Sequence, residues 1–169
     1  MGLDIDEDAR FERRYYRAQR IAWVVMLAIV GLALAGLFGG GPISSYVVQG
    51  RGPLALDAVL PRFSRYSQSE TGTMRISADI PRGATQMAVS ISRGLLDLIG
   101  PVRIEPAPGQ ARQSAAVVTY VFDLDGAGGR VGATITFQPH AAGLAWGIVR
   151  VEAGGLASEV GPLWTFVFP

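Results

Sequence analysis

Thr73-Met-Arg-Ile-Ser-Ala-Asp-Ile80 decides the fold. Met74, Ile76, Ala78 and Ile80 alternate with Thr73, Arg75, Ser77 and Asp79. Side chains of an extended chain point to opposite faces in turn. A period of two therefore marks a strand with one buried and one wet face. Residues 85–92 repeat the pattern with Met87, Val89 and Ile91, and residues 131–138 with Val131, Ala133, Ile135 and Phe137. Residues 115–124 are more continuously apolar (Val117, Val118, Tyr120, Val121, Phe122, Leu124), as a central strand would be. Residues 54–60, 102–105, 144–151 and 163–168 complete the set.

The separators are turn chemistry. Pro81-Arg-Gly-Ala84 and Asp125-Gly-Ala-Gly-Gly129 are expected to close hairpins, because glycine supplies positive φ at no steric cost. Pro106-Ala-Pro-Gly-Gln110 reads as a loop. Pro139-His-Ala-Ala-Gly143 and Ala153-Gly-Gly155 punctuate the end. Residues 93–99 suggest a short helix or turn. Seven or eight short strands without a long helical pattern predict an antiparallel β-sandwich of immunoglobulin-like architecture, with a small barrel as the alternative. The expected core is Met74, Ile76, Met87, Val89, Val118, Tyr120, Phe122, Ile135 and Phe137.

Ahead of these strands lies a different pattern. Ile21-Ala-Trp-Val-Val-Met-Leu-Ala-Ile-Val-Gly-Leu-Ala-Leu-Ala-Gly-Leu-Phe38 is uncharged and runs on into Gly39, Gly40 and Gly41. About 20 apolar residues cross a hydrocarbon layer of ~30 Å. Tyr15, Tyr16 and Trp23 suit an interfacial belt, and Pro42 stops the helix. The expected organisation is a tail at 1–20, a transmembrane helix at 21–41 and a β-sandwich domain at 43–169. Arg10, Arg13, Arg14, Arg17 and Arg20 precede the span, and Arg51 alone follows closely. The positive-inside rule then keeps the tail cytoplasmic and exports the domain to the periplasm, across a bacterial inner membrane. A cleaved signal peptide, cut after Ala33-Leu-Ala35, is the competing reading.

Composition narrows the chemistry. The chain has no cysteine and one histidine. Disulfides, thiolate catalysis and cysteine metal sites are excluded. All fifteen basic residues are arginine, which fits a GC-rich bacterial genome. Ten arginines and nine acids in residues 43–169 leave no electrostatic footprint for nucleic acid.

Val59-Leu-Pro-Arg-Phe-Ser-Arg-Tyr66, Thr73-Met-Arg-Ile76 and Leu163-Trp-Thr-Phe-Val-Phe-Pro169 carry a resemblance. The chain resembles bacterial single-span membrane proteins of unknown function. These share an R-F-x-R-Y segment and an aromatic F-V-[YF]-P end. The resemblance implies genes placed beside YetF-type membrane proteins, and hence a membrane partner. It implies no catalytic residue.

Nothing in the sequence assembles a catalytic constellation, so no enzyme activity and no cofactor or metal is expected. His140 sits in a Pro/Gly turn and reads as a solvated loop residue. Asp123-Leu-Asp-Gly126 resembles the start of a calcium loop but lacks its later ligands. Two features remain. Arg62, Phe63, Arg65 and Tyr66 form an interaction surface, or else a surface strand with cation–π packing. As a strand, it would put Phe63 and Arg65 on one side and Arg62, Ser64 and Tyr66 on the other. In the span, Ala28, Gly31, Ala35 and Gly39 form a small-residue face, with Gly36 and Gly40 as a second pair, suited to self-association or to a membrane-protein partner. The leading expectation is a non-enzymatic accessory protein in the bilayer. The alternative is a tethered small-molecule or lipid-binding module. A deep apolar pocket with converging arginines would favour the binding module, and a continuous exposed patch would favour the accessory role.

Overall fold

The structure is a computed structural model that describes residues 9–34, 44–66 and 71–169. The chain divides into two compact units, Met1–Pro42 and Ile43–Pro169. The first holds helix α1, Ala9–Leu34. The helix starts well before the apolar run because no glycine or proline interrupts residues 9–20, and arginine and glutamate are good helix formers. Arg14–Leu34 is 21 residues long with a mean hydropathy of 1.6, long and apolar enough to be a candidate membrane span. Ala28 and Gly31 lie three residues apart on this helix, and a Cβ on Gly31 would meet no atom within 4 Å. Ala35, Gly36, Gly39 and Gly40 lie outside the described residues.

The second unit is a sandwich of two sheets. One has five strands in the order β1 (Ser45–Gln49), β2 (Leu56–Pro61), β4 (Gly72–Ile80), β9 (Gly129–Pro139), β6 (Ile99–Glu105). The other has six: β3 (Phe63–Arg65), β11 (Leu156–Phe168), β10 (Gly143–Ala153), β5 (Gln86–Ser92), β8 (Val117–Asp123), β7 (Gln110–Gln113). All pairs are antiparallel except β3 with β11, which is parallel. The expected short helix is α2, Arg93–Leu96. All nine expected core residues are buried, in one cluster between the sheets. Strands β1 and β7 were not expected, and β3 falls within residues 62–66, for which a surface strand was one reading. All three are three to five residues long and lie at or near sheet edges, where a short run shows little periodicity.

Two turns differ from expectation. Pro81–Ala84 and Asp125–Gly129 do not close hairpins. They carry the chain from one sheet to the other, β4 to β5 and β8 to β9. The reason lies in the register. Strand β4 pairs with β9 up to Ile80 opposite Gly129. Strand β5 pairs with β8 from Gln86 opposite Asp123. One antiparallel pair thus turns a corner between sheets, and the two turns bond to each other through Gly83 N–H and the Gly126 carbonyl, 2.9 Å. The close hairpin is at Gly154-Gly155, with φ of 58° and 77°, which joins β10 to β11 and suits a mirror-image two-residue turn.

One side of the sandwich is sealed. Arg51 and Glu159 exchange both backbone hydrogen bonds, 2.6 and 2.9 Å, linking the chain after β1 to β11. Here the five-stranded sheet touches the six-stranded one, an approach to barrel closure that stops at a single bridge.

Candidate functional site

The outer face of the six-stranded sheet carries the domain's most unusual feature. In β10 the outward residues are Leu144, Trp146 and Ile148, followed by Arg150 and Glu152. The inward partners near the first three are Ala145 and Gly147. They are small because α2 fills the space. A Cβ on Gly147 would lie 2.8 Å from that of Ser92 and 3.0 Å from that of Leu95. The bulky apolar residues of this half-strand therefore face outward.

Strand β11 extends the patch. Trp164 lies opposite Trp146, and Phe166 opposite Leu144. Strand β3 adds Phe63 beside Phe166 and Arg65 beside Phe168. The rings pack on one another: Phe63 on Phe168 at 5.7 Å, Phe166 edge-on to Phe168 at 4.9 Å, and Phe63 edge-on to Trp164 at 6.5 Å. Even so, Trp146 is 64% exposed, Leu144 56% and Phe168 45%. Single exposed apolar residues are ordinary, whereas a contiguous aromatic face marks a contact surface.

Tyr46 fixes the edge of this face. It comes from β1 of the other sheet and stacks on Trp164 at 5.8 Å. Its hydroxyl accepts from Trp164 N–H at 2.5 Å and donates to the Trp164 carbonyl at 2.8 Å. It takes the place of a neighbouring strand where β3 does not reach. Burial pushes the Tyr46 phenol above its ordinary value, opposed by the Trp164 backbone hydrogen bond and the Arg62 charge. The protonated form is thus favoured in the folded protein. Its contribution to stability is present below the unfolded tyrosine pKa and is lost as pH rises through the folded one. Tyr46→Phe is expected to cost ~1–3 kcal/mol by stranding two backbone groups. Urea unfolding of the two proteins near neutral pH measures this, and the gap should narrow in strong alkali.

Of the expected cluster at residues 62–66, Phe63–Arg65 form strand β3. Phe63 and Arg65 join the aromatic face. Arg62 instead lies over the Tyr46 ring at 5.3 Å, a cation–π contact, and Tyr66 is half exposed. The sequence reading missed Leu144, Trp146, Trp164, Phe166 and Phe168 as a surface. The signal was present as two alternating triplets, Leu144-x-Trp146-x-Ile148 and Trp164-x-Phe166-x-Phe168.

Other candidates remain plain. His140 packs in a loop against Gly100, whose Cβ would lie 2.3 Å from the imidazole. Among the described residues no cluster of histidine, aspartate or glutamate could hold a metal. Asp125 accepts from Ala127 N–H at 3.0 Å, and Asp123 from the Gln86 amide at 3.2 Å, both ordinary turn and strand contacts. Arg112 and Arg150 line a depression of about 410 Å³ with Glu152, Gly154 and Leu156, but it is wide open to solvent.

No family model and no curated protein matches this chain. Among solved structures, a cohesin module from a family 33 glycoside hydrolase of Clostridium perfringens is similar, at 6% identity and a TM-score of 0.42. The match covers 72% of this chain and 98% of that module. No function follows from a likeness at this level.

Proposed function

We propose that this protein is a membrane-tethered, non-enzymatic interaction protein. Helix α1 is its inner-membrane anchor, and the sandwich is exported to the periplasm. The observation that carries this reading is the aromatic face of β3, β10 and β11. It forms a continuous exposed patch, and the broad depression at Arg112 and Arg150 is no deep apolar pocket. The gene neighbourhood implied by the resemblance would supply a polytopic partner. Ala28 and Gly31 would then offer a backbone-close contact surface to that partner's helices.

Topology and retention of the anchor are testable together. Alkaline phosphatase fused after Pro169 is expected to be active, and the mature protein to keep its first residues and resist carbonate extraction. An inactive phosphatase fusion reverses the orientation. An N-terminus at Gly36 shows a cleaved signal peptide and a free periplasmic domain.

A further inference from the structure

We propose that the aromatic end of the six-stranded sheet seats on a phospholipid headgroup layer. Trp146, Trp164 and Phe168 lie at the interface, and Arg65 lies among the phosphates. This rests on the aromatic face being the domain's docking surface, and names what it docks on.

Three observations select lipid. The first is where the chain arrives. The Ser44 carbonyl accepts from Arg62 N–H, next to Phe63. From there β1 runs away from the aromatic end: Tyr46 is level with Trp164, whereas Arg51 pairs with Glu159. The tether thus joins the domain at its aromatic end. Ser44 is ten residues beyond Leu34, which allows at most ~35 Å of chain between them whatever its conformation. A face at the point where the tether enters the domain is within reach of the bilayer that the tether would leave.

The second observation is charge. Arg62, Arg65 and Arg93 lie toward this end, with Asp97 after α2 as the described acid level with them. The opposite half, near Ile80, Gly129 and the Gly154-Gly155 turn, holds Asp57, Asp79, Asp123, Asp125, Glu152 and Glu159, which outnumber its Arg51, Arg82, Arg130 and Arg150. Arg130 pairs with Asp57 and Asp79, and Arg150 with Glu152. Anionic headgroups would attract the first end and repel the second. The third is residue type. Tryptophan and tyrosine have an apolar body and a polar edge, and both collect at headgroup depth. The outward Trp146 indole is free to take that position.

The test uses the full chain carrying Trp23→Phe, so that Trp146 and Trp164 alone fluoresce. It is reconstituted into vesicles of phosphatidylethanolamine and phosphatidylglycerol. A parallel set contains phospholipid brominated near the top of its acyl chains. Emission is expected to fall by about a third or more in the brominated set, as for indoles at the interface. Adding Phe166→Ser and Phe168→Ser, with circular dichroism unchanged, is expected to abolish the loss. Equal emission in both vesicle sets overturns the proposal, as does quenching that survives the double substitution. If quenching is absent and the face is protected in native membranes but not in these protein-free vesicles, the lipid assignment falls. The docking surface then belongs to a protein partner.

Discussion

Phe122→Ala is expected to destabilise the sandwich by ~3–5 kcal/mol, the cost of deleting a buried ring from a core that cannot close over the gap. Phe122 is 2% exposed and lies opposite Met87 in the β5–β8 ladder. Strand β8 is held on both sides, by β5 and by β7, so its backbone has little freedom to collapse into the cavity. Urea unfolding of the detergent-solubilised protein, followed by near-ultraviolet circular dichroism, reads the change. A loss below ~1 kcal/mol would mean that the ring is not part of a tight core.

Gly52→Val is expected to cost ~2–6 kcal/mol through two separate causes. Gly52 has φ of +138°, a conformation that strains any branched residue by ~1–3 kcal/mol. A Cβ there would also lie 2.3 Å from Ser158 Oγ and 2.8 Å from the Ala157 carbonyl. Crowding of this kind costs a further ~1–3 kcal/mol. The seam it would open is the one that seals the sandwich. Arg51 pairs with Glu159 on one side, and Leu54 N–H donates to the buried Ser158 Oγ at 2.8 Å on the other. Gly132→Ala is the control. Its φ is not positive, and its nearest neighbour would be 3.4 Å away, so the same unfolding assay should show little change.

The sequence made the sandwich legible wherever a strand was long enough to show its period. Met74 to Ile80 and Val131 to Phe137 alternate over seven residues, and both strands lie where alternation puts them. The turns were less legible. Pro81–Ala84 and Asp125–Gly129 have hairpin chemistry, but whether a turn joins neighbours or crosses between sheets depends on pairings made by distant residues. Glycine content cannot encode that. The interaction face was hidden for a different reason. In the first half of β10 both faces are apolar in composition, and the choice between Trp146 outside and Ala145 inside is made by α2, which occupies the inner space beside Gly147. Residues 62–66 gave a partial clue, because Phe63 and Arg65 do face the patch. Of the small-residue face expected in the helix, Ala28 and Gly31 are on the described helix, and Ala35 and Gly39 lie outside the described residues.

The absence of cysteine makes the central claim directly measurable. Single cysteines at Leu144 and Trp146, on the aromatic face, and at Gln113, on the exposed edge strand β7, can each be placed in the full chain. A membrane-impermeant maleimide is then applied to intact cells with a permeable outer envelope. The account predicts fast labelling at Gln113→Cys and slow labelling at Leu144→Cys and Trp146→Cys, with all three equal once detergent dissolves the membrane. Equal labelling at all three sites before detergent would show a bare face, and would contradict an interaction role for it.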